Sequence, residues 1–235
     1  TGKYFKYAIG EIVLVVLGIL IALGINNWNE NKKTRRQELV LLENLKLEME
    51  GNHKLLVDYL EVKETAINDL TTVLSYTNPE LQEKKEDSLD FRISQIFDIT
   101  NFRPEIMVLK AAQNSNSIEL IRNQQIKTGI SKWEQLLNGL MEFDDYGSEH
   151  FNTSVIPLVS NHYPFANIKF NRSNERNQNQ SKHKSEIEKL FRSRDFENII
   201  FRMRNFEKIR ANKAKELKAH TLDLIQFLNS ELKTE

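Results

Sequence analysis

The chain has 235 residues and a mass of 27.6 kDa, which is enough for one large domain or two small ones. The chain contains only 8 glycines and 4 prolines. This composition excludes collagen-like and low-complexity chains and disfavours a turn-rich β-sandwich, so helices are expected. Basic and acidic residues both number 33, which removes the basic excess typical of nucleic-acid-binding proteins, and the lack of cysteine excludes a disulfide framework, a thiol nucleophile and a cysteine metal site.

An apolar segment near the start of the chain predicts a single transmembrane helix. Residues 12–25 are apolar without interruption, and Glu11 is the only charged residue of residues 7–25. At about 1.5 Å per residue, a helix over this longer stretch spans roughly 28 Å, close to the roughly 30 Å hydrocarbon core of a bilayer. We therefore predict a membrane anchor over residues 1–30, with the span at about residues 7–25.

The residues on both sides of the span are typical of a membrane interface. Tyr4 and Tyr7 precede the apolar run and Trp28 follows it, so we interpret them as interface anchors. A cleaved signal peptide also has lysines before an apolar run, but this run is long and residues 26–30 offer no small-residue cleavage site. A buried core helix is disfavoured, because no other segment is apolar enough to surround a helix that is hydrophobic on every face.

Polar and small residues within the span suggest two functions. Burying the ionised Glu11 side chain would cost on the order of 2.5 kcal/mol at mid-bilayer and somewhat less near the edge. Three alternatives follow: Glu11 snorkels or stays protonated, it pairs with a cation of a neighbouring helix, or it carries protons in an ion-coupled complex. Gly18 and Ala22 form a small-xxx-small pair with Asn26 one turn further on, which favours close helix–helix packing in the membrane.

The residues after the span predict a long amphipathic helix that is continuous with it. Apolar residues recur at steps of three and four from Leu42 to Val73, and this rhythm is broken by Asn52 and Lys63. The helix is expected to end before Pro79, because the residue before a proline disfavours the α conformation.

The later segments predict further helices. In chain order they are two short helices joined by a polar turn over 104–121, a helix over 124–143, an irregular segment over 147–170, a mobile polar loop over about 171–184 and a final helix over about 186–232. The predicted fold class is therefore all-α, with a single N-terminal transmembrane helix that continues into the long amphipathic helix. Residues 31–235 are predicted to form an antiparallel helical bundle in the soluble part.

Charge is divided unequally between the predicted helices. Residues 43–105 carry 14 acids and 7 bases, whereas residues 182–218 carry 12 bases and 6 acids. Antiparallel packing of the first and last helices would bring these opposite charges together, which selects the partner helix and its register more than it adds stability. The alternative is that the basic face binds anionic lipid or nucleic acid, and it is disfavoured because the bases are interleaved with acids.

Residue types found in active sites are present without a known catalytic arrangement. The five histidines lack the spacing that places two metal ligands on one helical face, and the sequence has no G-x-S-x-G, Walker or G-x-G-x-x-G motif. We predict no catalytic residue, no metal site and no cofactor. Asp144 and Asp145 are interpreted as a helix end and not as a calcium loop. A hydrolase that uses Asp144, Asp145 and His150 stays open as an enzymatic alternative.

The start of the chain resembles a known family. Residues 4–30 read YFKYAIGEIVLVVLGILIALGINNWNE, with G-E-I at residues 10–12 and I-N-N-W-N-E at residues 25–30. This string resembles an uncharacterised family of membrane-anchored proteins from Bacteroidota, the domain of unknown function 6090. The resemblance extends to the F-x-P start of residues 102–121 and to an R-x-F-E-N segment at residues 194–198.

Two positions depart from the family pattern. Gly24 stands where the family usually has glutamine, which removes a possible interhelical hydrogen-bond donor. Ser115-Asn116-Ser117 replaces an S-G-N turn, so a residue other than glycine must make that turn, and asparagine tolerates the left-handed conformation.

The orientation in the membrane depends on residues outside the printed sequence. Two lysines precede the span and four basic residues follow it, so the positive-inside rule applied to these residues alone places the bulk of the chain in the cytoplasm. The resemblance implies a basic stretch before Thr1, which reverses the orientation. We therefore expect a single-pass protein of the inner membrane with a periplasmic bundle.

These observations favour an interaction module over an enzyme. The leading hypothesis is a self-associating, non-catalytic helical scaffold, whose partners are membrane lipid and either further copies of the chain or another membrane protein, and not nucleic acid. One alternative is a periplasmic bundle that binds a small ligand between its helices. A further alternative is a single-span subunit of an ion-coupled membrane complex that uses Glu11.

Overall fold

The structure is a computed structural model that describes residues 2–78, 86–97, 99–168 and 181–233. The described residues are almost entirely helical, and no strand occurs among them, which confirms the predicted all-α class. Most of the polar loop that was predicted over about residues 171–184 lies outside the described residues.

Seven α-helices and three shorter helical segments make up the described chain. In order they are α1 (Gly2–Ser75), α2 (Glu86–Gln95), α3 (Met107–Asn114), a 3-10 turn (Ser117–Leu120), α4 (Gln124–His150), a π-helical segment (Phe151–Val155), α5 (Ile156–Ser160), a 3-10 turn (Phe165–Asn167), α6 (Ile187–Phe191) and α7 (Arg194–Lys233).

Helix α1 is 74 residues long and joins the apolar segment to the amphipathic segment without a break, as predicted. After the apolar segment it contains a single glycine, Gly51, and no proline, so nothing in its sequence interrupts the hydrogen-bond ladder. It ends at Ser75, ahead of the predicted limit at Pro79. The last turn tightens there, because the Tyr76 amide donates to the Val73 carbonyl at 3.0 Å.

The chain divides into two compact units. Unit 1 comprises Thr1–Glu48, Ile106–Lys127 and Gln226–Glu235, and unit 2 comprises Met49–Glu105 and Thr128–Ile225. The predicted division into an anchor over residues 1–30 and a bundle over residues 31–235 stays a prediction.

In unit 1, acidic side chains of α1 bind the backbone of the segment around α3. The carboxylate of Glu48 accepts hydrogen bonds from the amides of Val108 at 2.6 Å and Leu109 at 3.0 Å, and so satisfies two free donors in the first turn of α3. The fully buried Glu38 accepts one from the Arg122 amide at 2.6 Å. Asn116 makes the turn after α3 with a φ of 58°, which confirms that an asparagine in the left-handed conformation makes this turn.

In unit 2, α4 and α7 pack antiparallel. The Trp133 indole donates to the Thr221 hydroxyl at 2.9 Å, and the Arg210 guanidinium donates to Asp144 at 2.6 Å. Residue numbers therefore increase along α4 in the direction in which they decrease along α7. Gly129 permits this close approach, because a Cβ there would lie 3.0 Å from the Leu224 side chain.

Two helix boundaries differ from the prediction. Helix α4 runs to His150 instead of residue 143 and continues into the π-helical segment, because residues 144–150 contain no proline and their charges face solvent or a buried partner. The single final helix predicted over residues 186–232 is wrong: it divides into α6 and α7. Ser193 causes the break, since its hydroxyl accepts a hydrogen bond from the Phe196 amide at 3.1 Å and caps α7.

The predicted pairing of an acidic first helix with a basic last helix is only partly seen. Within unit 2 the Lys215 ammonium lies 4.0 Å from the exposed Glu64 carboxylate, as the charge division suggests. The buried pair between the same two helices has the opposite polarity, with the Lys63 ammonium on α1 and the Glu207 carboxylate on α7 at 2.8 Å. Local charge excess therefore did not identify the buried pair.

Candidate functional site

The apolar segment of α1 is not packed against other described residues. All eleven large apolar side chains of residues 12–25 are exposed, with fractions between 47% for Val16 and 71% for Leu14. A Cβ placed on Gly18 would meet no atom within 4 Å. The segment is long and apolar enough to cross a membrane, and the described part of the chain buries none of it. Such a surface requires either hydrocarbon or a protein partner.

The structure places the predicted membrane residues on this open helix. Glu11, Gly18, Ala22 and Asn26 are all exposed, and no ion pair to Glu11 occurs within the described part of the chain. Their predicted roles stay predictions. The backbone of residues 2–9 is helical, but the side chains of the predicted anchors Tyr4 and Tyr7 lie outside the described residues.

Trp28 marks the end of the apolar segment. Its side chain is 57% exposed, and the Lys32 ammonium lies 4.0 Å from the centre of its indole ring. This is a cation–π contact one helical turn beyond the last apolar residues. An amphipathic ring followed by a cation is typical of a helix that leaves hydrocarbon for the headgroup layer.

One face of α1 stays open from the apolar segment into the bundle. At about 100° per residue, Glu11, Gly18 and Ala22 lie within about 40° of one another around the helix axis. The same direction contains two exposed apolar residues beyond the membrane segment, Val40 at 55% and Leu47 at 60% exposure. We call this set the outward face.

The buried residues of α1 in unit 1 lie on the opposite side. Leu42 and Leu45 are at most 1% exposed, and their directions fall roughly 180° from the outward face. The sequence therefore provides one stripe that is used within the chain and a second, weaker stripe that the described chain leaves uncovered.

Of the cations that follow Trp28, one is packed within unit 1 and three are exposed to solvent. Arg35 points into unit 1, where its guanidinium lies 2.9 Å from Glu38 and 3.0 Å from Glu231. The hydrogen bond to Glu38 raises the pKa of Arg35, and the hydrogen bond from Asn123 lowers that of Glu231, so both groups are charged. Lys32, Lys33 and Arg36 are exposed instead. We call these three residues the juxtamembrane cations.

Unit 2 contains a cluster of charged side chains that are almost fully buried. Its members are no more than 7% exposed: Tyr59, Lys63, Asp144, Glu207 and Arg210. The Arg210 guanidinium is at the centre, donating to Asp144 at 2.6 Å and to Glu207 at 2.5 Å. Its other amino group donates to the Thr100 carbonyl at 2.9 Å and to the Asn101 side chain at 2.8 Å. We call this set the buried charge cluster.

Both carboxylates of the buried charge cluster are compensated. Asp144 also accepts hydrogen bonds from the Tyr59 hydroxyl and the Phe102 amide, both at 2.7 Å. Phe102, which begins the F-x-P string, packs its ring edge-on against Tyr59 with a centroid distance of 5.6 Å. Lys63 donates to the Thr100 carbonyl at 2.6 Å. Two acids thus face two bases. The bases bind the Thr100 carbonyl, and Asp144 binds the Phe102 amide.

Burial and charge oppose each other in this cluster. Burial lowers the pKa of Lys63 although Glu207 acts to raise it, and burial also raises the pKa of Tyr59. For Arg210, burial acts to lower the pKa, but the carboxylates of Glu207 and Asp144 outweigh it, so its pKa is raised. A charge cluster this enclosed, whose centre makes several hydrogen bonds, orders the chain around it.

The acidic and histidine residues of the enzymatic alternative are not gathered into one cleft. Asp144 belongs to the buried charge cluster, whereas Asp145 is exposed to solvent. His150 is 6% exposed, and its ring lies 5.6 Å from the Phe206 ring. Among the described residues, its Nε2 has no hydrogen-bond partner. Over the described residues there is no group of three or more side chains that could hold a metal ion.

The sequence contained a signal for part of this site. Lys63 and Asn52 interrupt an otherwise apolar stripe, and both are fully buried with backbone partners: Asn52 bonds the amide and carbonyl of Glu105 at 2.8 and 2.6 Å. A polar residue within a core stripe therefore indicated a buried side chain that is hydrogen-bonded to the backbone. Arg210 was not foreseen, because on a helix rich in exposed bases nothing in the local pattern distinguishes it.

Comparison with known proteins finds a similarity to one family. Residues 11–106 match the model of a family of unknown function, DUF6090, which confirms the resemblance to this family over that segment. The match contains α1 from Glu11 onwards and extends through α2 to the residue before α3. The resemblance at residues 194–198 lies beyond it and stays a prediction. No curated protein and no solved structure matches the chain.

Proposed function

We propose that this protein is a single-pass inner-membrane protein. Its periplasmic helical bundle is a non-catalytic interaction module that self-associates along the outward face of α1. The observation that carries the proposal is the exposed apolar segment of α1, which belongs to the same unbroken helix as the first helix of the bundle. The inner membrane and the periplasmic orientation rest on the family resemblance.

Hydrocarbon is the environment that suits the apolar segment. Full burial of one large apolar side chain is worth about 1.5–3 kcal/mol, so the eleven half-exposed side chains of residues 12–25 represent on the order of 10 kcal/mol. A helix that is hydrophobic on every face satisfies all its backbone groups internally, as a bilayer requires. A single partner helix would cover only one side of it.

Self-association is supported by the outward face. Two copies that are anchored in one membrane have the same orientation, so their α1 helices would meet in parallel. Gly18 and Ala22 allow two backbones to approach closely within the bilayer, and Val40 and Leu47 provide apolar contacts in water on the same face. All four residues lie on the side of α1 that the described part of the chain leaves uncovered.

The glycines of the apolar segment supply a matched pair of variants that test self-association. A Cβ at Gly18 or at Gly24 meets no atom within 4 Å, so leucine fits at either position in one chain. Gly18 lies on the outward face, whereas Gly24 lies on the opposite side of the helix. We expect Gly18→Leu to weaken the dimerisation constant at least about tenfold, as loss of 1.4 kcal/mol of packing implies, and Gly24→Leu to leave it unchanged.

The dimer fraction is measured by light scattering in detergent and by disulfide crosslinking in membranes. Because the chain has no cysteine, Val40→Cys reports contact on the outward face, and Gln37→Cys, which is exposed about 60° away from Val40 around the helix axis, is its control. The proposal predicts crosslinked dimers with Val40→Cys and few with Gln37→Cys. A strict monomer, or equal crosslinking of both variants, contradicts it.

Glu11 supports a second candidate, the ion-coupled subunit. It is exposed on the outward face inside the apolar segment, where an unpaired carboxylate is costly. This candidate predicts that Glu11→Gln weakens assembly with a partner or abolishes ion-dependent activity of the complex. A Glu11→Gln variant that assembles and behaves like the parent removes the candidate.

A further inference from the structure

The juxtamembrane cations lie at the depth of lipid phosphates if the apolar segment spans a bilayer. At 1.5 Å per residue, Lys32, Lys33 and Arg36 are displaced by about 6, 8 and 12 Å along the helix axis from Trp28. The headgroup layer on each side of the hydrocarbon core is about 5–8 Å thick. The long side chains of lysine and arginine can therefore reach phosphate groups from all three positions.

These cations are available for a ligand, whereas their neighbour is not. Arg35 is held between Glu38 and Glu231 inside unit 1. No carboxylate lies within ion-pair distance of the three juxtamembrane cations in the described chain, and the one contact seen is that of the Lys32 ammonium with the Trp28 ring. Of the four neighbouring cations, one is therefore paired within unit 1 and three are exposed and unpaired among the described residues.

The local charge has no counterpart in the composition of the chain. Bases and acids are equal over the whole sequence, but residues 26–37 contain four bases and a single acid, Glu30. A positive patch beside a membrane attracts anionic lipid, at about 1 kcal/mol per lysine or arginine near the surface. Guanidinium and ammonium groups also donate charge-assisted hydrogen bonds to phosphate oxygens.

We propose that Lys32, Lys33 and Arg36 bind the phosphate groups of anionic phospholipids and enrich such lipids around α1 on the side of the bundle. This inference rests on the membrane insertion that is part of the proposed function. To the proposed function it adds anionic phospholipid as a ligand class and the three juxtamembrane cations as the residues that select this lipid. An enrichment of about fivefold is expected for each headgroup bound, which corresponds to 1 kcal/mol.

Quenching of Trp28 fluorescence by brominated lipids tests the proposal on the full chain. Vesicles contain phosphatidylglycerol and phosphatidylcholine in equal amounts, with bromine on one lipid or on the other. The chain has two tryptophans, and the second, Trp133, is fully buried in unit 2, so its contribution is subtracted with a Trp28→Phe variant. The readout is the ratio of quenching by brominated phosphatidylglycerol to quenching by brominated phosphatidylcholine.

The proposal predicts a ratio clearly above one for the parent. The ratio falls to about one in the triple variant Lys32→Gln, Lys33→Gln, Arg36→Gln, and also in about 1 M salt, where the Debye length is only about 3 Å. A control that removes three other exposed lysines with the same change in net charge keeps the ratio of the parent: Lys54→Gln, Lys110→Gln, Lys208→Gln.

Three results separate failure of this proposal from failure of the proposed function. Equal quenching by both lipids in the parent overturns lipid selection and leaves membrane insertion intact. An equal loss of the ratio in the control variant overturns the assignment to the juxtamembrane cations, because net charge alone would then explain it. No quenching by either lipid overturns membrane insertion, and the lipid site with it.

Discussion

Replacing Arg210 by methionine is the sharpest perturbation of the buried charge cluster. Methionine has a similar length but no hydrogen-bond donor. The variant leaves two carboxylates with one neutralising cation, Lys63, and it removes donors from Asp144, Glu207 and the Thr100 carbonyl. Because Arg210 is 1% exposed, water cannot replace these donors without opening the helices around it.

The expected loss follows from this geometry. Removal of one partner of a buried, hydrogen-bonded ion pair costs about 3–5 kcal/mol, chiefly because the remaining charge is left uncompensated. Total stabilities of domains are about 5–15 kcal/mol, so Arg210→Met should remove a large part of the stability of unit 2. Arg192→Met is the control. Its side chain is 57% exposed and lies 3.6 Å from Glu188, and such surface pairs contribute at most about 1 kcal/mol.

Urea unfolding of the full chain in detergent measures both variants. Fluorescence of Trp133, which is buried and bonded to Thr221, reports loss of the α4–α7 contact. We expect a much lower unfolding midpoint for Arg210→Met and an unchanged midpoint for Arg192→Met. A loss below about 1 kcal/mol for Arg210→Met refutes the reasoning, because the cluster would then not hold this fold together.

Three further predictions concern single residues. Burial and then Arg202 lower the pKa of His150 below its ordinary value of about 6.5, so the unfolded chain binds the proton more readily. The contribution of His150 to stability is therefore fully present above about pH 6.5 and is lost as the pH drops through the folded pKa. His150→Leu should remove this pH dependence from the unfolding midpoints. An unchanged profile contradicts the prediction. Glu48→Gln should cost about 1 kcal/mol by weakening the cap of α3, while the exposed Glu43→Gln costs nothing, and equal thermal midpoints count against the cap. Asn116→Ala should cost about 1 kcal/mol at its positive φ and Asn116→Gly should not, and equal effects would remove the backbone argument.

The all-α class and the helices α1 and α4 followed from the sequence because they depend on local patterns. Apolar residues at steps of three and four, together with a single glycine and no proline, were sufficient for α1 after the span. The division of the final helix was missed for an equally local reason. Ser193 is a good capping residue, but its position in a charged segment did not stand out against the long periodic stripe that follows.

The candidate site was predictable where a residue contradicts its surroundings. Glu11 contradicts an apolar segment and Lys63 contradicts a core stripe, so both were visible in the sequence. Arg210 and Asp144 are far apart along the chain and each resembles its charged neighbours. Their pairing depends on how α4 packs against α7, which no local pattern specifies.

The environment of residues 12–25 is the central claim, and alkaline carbonate extraction of membranes from cells that make the full chain tests it most directly. Insertion predicts that the chain stays in the membrane pellet at its full length and enters solution only with detergent. Release of the full-length chain into the carbonate supernatant, or removal of the apolar segment from the mature chain, contradicts the account.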